Sequence, residues 1–304
     1  MSLLVLDEHA VRSVLTMEAC IEAMDEVLRS LARGELYQPL RPVFRPDGAD
    51  TLLGLMPAYR GGDQPVWSLK EIVIAPGNPA RGLDSHQGGV LLHDGETGEL
   101  LALVNASTVT EIRTAAVSAV ATRALARRGS SVVAILGGGV QARSHAAAMK
   151  AVLPDAEIRT WTRGDGGTPE SVLRDADVVC TCTSAKEPIL ERAWLAPDAH
   201  VNAAGSSVPT ARELDAATVT EGTVVVDRRE SALNEAGDLL LAGVGDEGIA
   251  AELGEVLVGE HPGRTRDDEL TVFKSLGLGV EDLAAAELAV RLARERGVGV
   301  EVPF

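Results

Sequence analysis

The segment 132–142, VVAILGGGVQA, constrains the possible fold of this chain more than any other stretch. An apolar β-type run ends in three consecutive glycines and passes directly into a helical pattern, which predicts a strand, a tight turn and a helix. Gly137 and Gly139 have the G-x-G spacing of a dinucleotide-binding turn, and Ala142 takes the third position, where a small side chain permits close helix–strand packing. An ordinary strand–turn–helix connection is the alternative interpretation.

The glycine turn also predicts which atoms would bind a ligand. A Cβ atom at Gly139 would block the approach of a pyrophosphate, and the N–H groups and dipole of the following helix favour negative charge. We therefore expect Gly137, Gly139, Val140 and Gln141 to bind the phosphates of a dinucleotide cofactor.

Composition and charge argue against several functions. The chain has 304 residues, enough for two domains, and a formal net charge of −17. Nucleic acids and anionic membranes would repel such an acidic protein, and an aromatic content of 3% disfavours base stacking. The short apolar start meets Asp7 and Glu8 at once and matches neither a secretion signal nor a membrane span, so we expect a cytoplasmic protein.

The three cysteines are too few and wrongly spaced for a disulfide framework or a zinc site, so we predict no bound metal. Cys180 and Cys182 alternate with Thr181 as on one face of a strand. This spacing favours two core residues, with a redox pair as the alternative.

Two kinds of hydrophobic pattern divide the chain. Between residues 38 and 104, short β-like runs separated by Pro, Gly and Asp predict an antiparallel sheet. After the glycine turn, strands alternate with crossovers, which predicts a parallel doubly wound sheet. The fold class is therefore α/β: a Rossmann-type nucleotide domain over residues 113–283, and an α+β domain formed by residues 1–112 with residues 284–304.

The end of the second strand of a Rossmann domain selects the cofactor. An acidic side chain there accepts the ribose hydroxyls of NAD, whereas arginine pairs with the 2′-phosphate of NADP. Here the strand is followed by Thr162 and Arg163, which favours NADP(H), with both residues as phosphate ligands. Asp165 lies close enough to keep NAD(H) possible, and a solvated arginine at the strand end is the alternative interpretation of Arg163.

At this point several long motifs, in order along the chain, become recognisable. They are Gln38–Arg41 (QPLR), Met56–Tyr59 (MPAY), Trp67–Asn78 (WSLKEIVIAPGN), Thr110–Ala121 (TEIRTAAVSAVA), Leu136–His145 (LGGGVQARSH), Arg212–Asp215 (RELD) and Thr271–Ala286 (TVFKSLGLGVEDLAAA). With them the chain resembles the ornithine cyclodeaminase/μ-crystallin family over nearly its whole length.

The resemblance implies a homodimer whose α+β domain binds substrate and dimerises, with the active site in the cleft next to the nucleotide domain. It further implies an NAD(P)H-dependent oxidoreductase that acts on the C–N bond of a small α-imino or α-amino acid, like the ketimine and Δ1-pyrroline-2-carboxylate reductases. Ornithine cyclodeaminase, alanine dehydrogenase, and an NADP or small-ligand binding protein with little catalysis stay open as alternatives.

Carried over residue by residue, the family's basic cluster for the substrate carboxylate falls on Arg41, Lys70 and Arg113. A planar guanidinium can bind a carboxylate through two charge-assisted hydrogen bonds, and lysine adds a point charge. The resemblance also implies that His86 lines the substrate site, although a lone histidine is more often structural.

For catalysis, the resemblance implies Lys70 and Asp215, with Asp215 exchanging a proton with the substrate nitrogen. Two alternatives stay open. Some members place this acid two residues later, where the chain has Ala217, and Asp215 could simply cap the following helix.

The C-terminal motif implies that Ser275 and Gly277 approach the nicotinamide, whereas Asp282 is expected to cap the last helix. Two departures from the family pattern matter. The segment after Arg163 has room for only a short helix before the next strand. In addition, Gly54 stands where ornithine cyclodeaminases carry an acidic residue, which favours a small or cyclic imino acid as substrate.

Overall fold

The computed structural model describes residues 2–304 and divides into two compact units. The first unit comprises residues 2–113 with Leu278–Phe304, and the second comprises Thr114–Gly277. The observed boundaries therefore differ from the predicted ones, since Arg113 and residues 278–283 lie in the first unit. The reason is that Arg113 forms its ion pairs with residues at the start of the last helix.

The elements run in the following order along the chain. The strands are β1 (Ser2–Leu6), β2 (Leu36–Tyr37), β3 (Val43–Phe44), β4 (Leu52–Arg60), β5 (Val66–Ile74), β6 (His86–Asp94), β7 (Leu100–Asn105), β8 (Val132–Leu136), β9 (Glu157–Trp161), β10 (Val178–Thr181), β11 (His200–Ala203), β12 (Thr223–Val226), β13 (Ile249–Glu252), β14 (Thr271–Lys274) and β15 (Val300–Pro303). The helices are α1 (Glu8–Val14), α2 (Met17–Ala32), α3 (Ala106–Leu125), α4 (Val140–Val152), α5 (Glu170–Leu173), α6 (Ala216–Glu221), α7 (Arg229–Glu235), α8 (Gly237–Leu240), α9 (Leu253–Val258) and α10 (Gly279–Arg296).

The first unit contains one mixed sheet in the order β15-β1-β7-β6-β5-β4-β2, with β3 paired to β4. The predicted antiparallel pairing holds from β4 to β7, whereas β1 pairs with β7 in parallel. Helix α10 packs on β4, β5 and β6. Because strand side chains alternate between faces, Ser68, Lys70 and Ile72 on β5 are buried while Trp67 and Val73 are exposed.

The second unit contains a seven-stranded sheet in the order β13-β12-β14-β11-β10-β8-β9, and every pairing in it is parallel. This confirms the predicted Rossmann-type sheet, whose strands are apolar because helices cover both faces. The patterns did not predict β13 and β14. Between β9 and β10 there are only a 3-10 turn (Arg163–Asp165) and the single turn of α5, in agreement with the short segment predicted after Arg163.

Helix starts follow the local chemistry of the chain. Thr16 caps α2 as predicted, accepting a hydrogen bond from the Ala19 amide. Helix α3 begins at Ala106, earlier than predicted, because Asn105 Oδ1 accepts hydrogen bonds from Thr108 N and Oγ1, both at 2.9 Å. In the stretch 2–304, no helix is both long enough and apolar enough to traverse a lipid bilayer.

Candidate functional site

The glycine turn of the second unit has the shape that a dinucleotide requires. Gly137 has φ +139°, and a Cβ there would lie 2.5 Å from the Cys182 carbonyl oxygen, so only glycine fits. A Cβ built on Gly139 would meet no protein atom within 4 Å, which leaves open space beside the start of α4. Gly139 has no side chain to cap this helix, so its first N–H groups suit an anion.

The predicted adenosine end of the site lies just after β9. Thr162 N and Oγ1 donate to Asp165 Oδ2 at 2.7 and 2.9 Å, so this carboxylate is tied to the backbone of its own turn. Arg163 between them is exposed. Asp165 is exposed as well, but its carboxylate accepts the Thr162 hydrogen bonds, so Arg163 is the exposed cation at this strand end.

In the first unit, two cations and an acid from three elements form one buried cluster. Lys70 on β5 and Arg113 on α3 are 2% and 4% exposed, and Asp282 on α10 is fully buried. Asp282 Oδ2 lies 2.8 Å from Lys70 Nζ, and Asp282 Oδ1 accepts from Arg113 Nε at 3.0 Å. Arg113 Nη1 also donates to Glu281 Oε2 at 2.9 Å. One carboxylate thus joins two of the three cations predicted to bind substrate.

The electrostatic environment of Lys70 includes Arg41 as well. Burial lowers the pKa of Lys70 to about 8, because desolvation disfavours the ammonium ion more than Asp282 favours it. The positive charges of Arg113 and Arg41 lower this pKa further. Lys70 therefore interacts with both of the other predicted carboxylate ligands.

His86 joins this group at the first residue of β6. Burial lowers its pKa, Asp84 raises it, and the charges of Lys70 and Arg113 lower it further. The imidazole Nδ1 lies 3.0 Å from Ser85 Oγ. The structure thus brings His86 near the cations that the resemblance assigned to the substrate, which a lone histidine in the sequence could not establish.

The capping role expected for Asp282 is wrong. Helix α10 starts at Gly279 after Leu278, so Asp282 lies inside the helix, where its carboxylate pairs with Lys70 and Arg113. A Cβ at Gly279 would lie 2.9 Å from the Pro57 carbonyl oxygen, which shows how closely this helix end packs on β4. Two adjacent acids at the start of an alanine-rich helix were the available signal.

Asp215 is the N-cap of α6. Its Oδ1 accepts from Thr218 N at 2.9 Å, from Thr218 Oγ1 and from Arg192 N at 3.2 Å. The structure thus supports the capping alternative for this residue. Its assignment as a proton-exchanging group stays a prediction.

Glu213 of the same RELD motif is the acid that sequence reasoning missed. It is fully buried: Oε2 accepts from Thr181 Oγ1 at 2.7 Å and Gly205 N at 2.9 Å, and Oε1 accepts from Thr183 N at 2.7 Å. Burial raises its pKa, opposed mainly by the Thr183 hydrogen bond and the charge of Lys274. Glu213 therefore ties together the loops after β10 and β11.

The predicted nicotinamide segment after β14 is held by buried charges. Lys274 Nζ lies 2.8 Å from Asp238 Oδ2, and Asp227 Oδ2 accepts from the Gly277 amide at 2.8 Å. Ser275 Oγ is buried and has no hydrogen-bond partner among residues 2–304, so a ligand could supply one. Gly277 has φ +82°, a backbone conformation that favours glycine.

His145 and the three cysteines have no polar role in ligand binding that the structure reveals. His145 is buried, as the packing interpretation predicted, and its Nδ1 lies 2.8 Å from the Gln141 carbonyl oxygen. Cys20, Cys180 and Cys182 are buried free thiols. No group of three or more His, Cys, Asp or Glu residues within 2–304 is placed to hold a metal ion.

Comparison with known proteins identifies the family. Residues 1–171 and 166–296 match the ornithine cyclodeaminase/mu-crystallin family. The chain belongs to this family. Mouse ketimine reductase mu-crystallin is 42% identical over 271 residues, covering 84% of this chain and 85% of the mouse protein.

Solved structures of other family members share the fold over the full length. The Δ1-pyrroline-2-carboxylate reductase of Thermococcus litoralis, in complex with NADH and L-proline, is 32% identical with a TM-score of 0.91, covering 99% of this chain and 100% of its own. An archaeal alanine dehydrogenase dimer with bound NAD is 29% identical with a TM-score of 0.93, covering 100% of both chains. The predicted family and the α/β fold with a Rossmann-type sheet are therefore confirmed.

Proposed function

We propose that this family member uses NAD(P)H to reduce the C=N bond of a small α-imino or cyclic ketimine acid. The observation that carries the proposal is the buried cluster in which Lys70 and Arg113 share the carboxylate of Asp282. The positive charges of Arg113 and Arg41 both lower the pKa of Lys70. A substrate carboxylate would complete such a cluster, because charge-assisted bonds to buried cations are strong and directional. The names of the relatives, ketimine reductase and Δ1-pyrroline-2-carboxylate reductase, support the same substrate class.

In this proposal the chain's own residues bind and orient the acid. Arg41 and Arg113 bind its carboxylate, Lys70 lies at the same end of the substrate, and His86 lines the site. Holding the imine carbon in one orientation removes much of the entropic barrier to reaction. The glycine turn and Ser275 would hold the dinucleotide, which supplies the hydride when bound.

Reduction adds a hydride to carbon and a proton to nitrogen, so one residue must supply the proton. Lys70, with a pKa of about 8, is protonated at neutral pH yet acidic enough to donate. Asp215, or a water that it holds, is the second candidate that the sequence suggests.

Absorbance of the reduced nicotinamide tests the proposed reaction. We expect NADPH or NADH to be oxidised with Δ1-pyrroline-2-carboxylate, and more slowly with pyruvate plus ammonia. Formation of proline from ornithine without net oxidation would instead show a cyclodeaminase. Cofactor binding without turnover of any of these substrates would show a binding protein and overturn the proposal.

Replacing Gly139 by alanine is expected to separate cofactor binding from folding. Because the added Cβ meets no protein atom within 4 Å and the backbone at Gly139 has φ −83°, the melting temperature should stay near that of the wild type. The same methyl group would occupy the space proposed for the pyrophosphate, so the Kd for NADPH should rise roughly tenfold or more, about 1.4 kcal/mol.

Gly137→Ala is the matched control for this test. Gly137 has φ +139° and its added Cβ would lie 2.5 Å from the Cys182 carbonyl oxygen, so this variant should lose stability. An unchanged NADPH affinity in a folded Gly139→Ala protein would show that the phosphates bind elsewhere.

We propose NADP(H) as the preferred cofactor, with Arg163 as the phosphate ligand. Arg163 is the exposed cation after β9, whereas Asp165 is held by the Thr162 amide and hydroxyl. Arg163→Ala should raise the Kd for NADPH several-fold and leave the Kd for NADH nearly unchanged, as measured by fluorescence titration. Equal losses for both cofactors would contradict a role specific to the 2′-phosphate.

We also propose that the chain forms a homodimer through its first unit. Trp67 and Val73 lie exposed on the outer face of β5, Trp67 stacks on Tyr59 at 4.6 Å between ring centroids, and Phe44 on β3 is exposed as well. An apolar face of this kind is typical of an interface. Sedimentation equilibrium should report twice the chain mass, and a monomer at micromolar concentration would contradict the proposal.

A further inference from the structure

We propose that Asp282 is a positioning residue, whose buried carboxylate holds the Lys70 ammonium and the Arg113 guanidinium at a fixed separation on one side of the substrate. This inference rests on the proposed function, because it assigns the acid that orders the two substrate-binding cations.

The geometry carries the first step. The two oxygens of Asp282 are divided between two partners, with Oδ2 on Lys70 Nζ at 2.8 Å and Oδ1 on Arg113 Nε at 3.0 Å. The three side chains come from β5, α3 and α10, and each is at most 4% exposed. A buried carboxylate shared between two cations from different elements fixes their mutual distance, since moving either cation would break a buried ion pair.

The formal charges of the buried side chains around Asp282 are balanced. Lys70 and Arg113 carry two positive charges, and Glu281 and Asp282 carry two negative charges, so these four side chains are formally neutral together. Arg41 adds a positive charge that Lys70 senses. A substrate carboxylate would therefore meet Lys70 and Arg113 within a group whose own charges are balanced, with the charge of Arg41 close by.

The charged groups around Lys70 shift its pKa in opposite directions. Asp282 on α10 favours the charged ammonium, while Arg113 on α3 and Arg41 after β2 disfavour it, and His86 on β6 faces the same charge. Thr110 Oγ1 lies 3.4 Å from Lys70 Nζ and carries no charge. Asp282 is thus the acid that keeps Lys70 protonated, and its removal lowers the pKa of Lys70.

Asp282→Asn tests the role, and Glu281→Gln is its matched control. Both residues are fully buried neighbours on α10 that bind Arg113, but only Asp282 binds Lys70. For imine reduction, a protonated Lys70 is needed, so kcat/KM falls as pH rises through its pKa. In Asp282→Asn this descending limb should move to lower pH by at least about one unit, whereas in Glu281→Gln it should stay at the wild-type position.

A second readout does not require turnover. Pyrrole-2-carboxylate is planar, carries the carboxylate and has no imine to reduce, so its affinity reports the charge of the site. Its binding, followed by calorimetry, should weaken as pH rises through the pKa of Lys70 near 8, with a lower midpoint in Asp282→Asn and the wild-type midpoint in Glu281→Gln.

The outcomes separate the two ideas. Suppose that the three proteins bind pyrrole-2-carboxylate with the expected midpoints but the wild type reduces no imino acid. This result would refute the proposed function and leave the inference standing. Turnover with the same descending limb in both variants would overturn the inference. Should Asp282→Asn fail to fold, Asp282→Glu is the variant to measure, because it keeps the negative charge and displaces the carboxylate. Its kcat should fall tenfold or more, with an unshifted pH profile. A wild-type kcat in this variant would overturn the inference.

Discussion

Replacing Arg113 by alanine is expected to lower kcat/KM for the imino acid about a thousandfold, with KM raised and kcat lowered together. In the proposed mechanism this guanidinium binds the substrate carboxylate from a buried position. Truncating one partner of a buried, hydrogen-bonded charge pair costs roughly 2–5 kcal/mol, and about 4 kcal/mol corresponds to three orders of magnitude. The substrate would also lose its orientation, which lowers kcat.

The same substitution also affects stability, and this effect has to be measured separately. Without Arg113, Glu281 loses an ion pair and Asp282 retains only Lys70, so we expect a loss of roughly 3–5 kcal/mol in the free energy of unfolding. Arg113→Lys keeps the positive charge and should retain more of the stability while losing the planar, two-bond geometry.

Arg60→Ala is the control, because Arg60 forms a less buried ion pair with another acid of α10. Arg60 binds Glu287 of α10 at 2.6 Å with its side chain 37% exposed, so its loss should cost about 1 kcal/mol or less and leave KM unchanged. A folded Arg113→Ala protein with wild-type kcat/KM would remove the carboxylate-binding role of Arg113 from the proposed mechanism.

Lowering the pH from 7 to 5 is expected to reduce the free energy of unfolding by about 4 kcal/mol. The cause is a pair of buried neutral histidines in the second unit. Burial lowers the pKa of His145 from 6.5 to about 4 and that of His200 to about 3. In the unfolded chain both histidines titrate near 6.5.

The sign follows from proton uptake. Between the unfolded and folded pKa values, only the unfolded chain binds these protons, so stability is full above pH 6.5 and falls as the pH drops towards the folded values. Each group contributes about 1.4 kcal/mol per pH unit in this window. Asp177 and Glu269, whose pKa values are lowered, add to the loss at lower pH.

His145→Gln measures one half of this effect. His145 Nδ1 donates to the Gln141 carbonyl oxygen at 2.8 Å, and Nε2 therefore accepts from Ser118 Oγ at 2.9 Å, two roles that a glutamine amide can partly take over. In urea unfolding followed by circular dichroism, the loss between pH 7 and 5 should be about 2 kcal/mol smaller than in the wild type. An equal loss would show that other groups take up the protons.

The sequence predicted strands β8 to β12 of the second unit, although not β13 and β14, because the signals for them are local. A run of β-branched residues, a glycine turn and a helical pattern are written into consecutive positions, so β8, the turn at Gly137 and α4 could be predicted directly. The same holds for β4–β7, whose turns are marked by Pro, Gly and Asp. The strands β1 and β15 were missed, because each is stabilised by pairing with a distant partner: β1 with β7, and β15 with β1.

The candidate site was predicted in part. The resemblance placed Lys70, Arg113 and Arg41 in one function, and the structure places their charges together. The acids were assigned less well. Asp215 has the residue type of a catalytic acid but caps α6, whereas Glu213 and Asp282, which were not predicted as site residues, are fully buried acids with hydrogen-bonded or ionic partners.

The amino-acid order alone therefore determined the nucleotide fold, the glycine turn and the choice of the cations proposed to bind substrate, because each depends on residues close in sequence or on a motif. Only the tertiary structure decided which acid pairs with those cations. Lys70, Arg113 and Asp282 are far apart along the chain and meet because a strand and two helices pack together. The partner of a buried charge depends on this packing, and a spacing rule along one helix cannot reveal it.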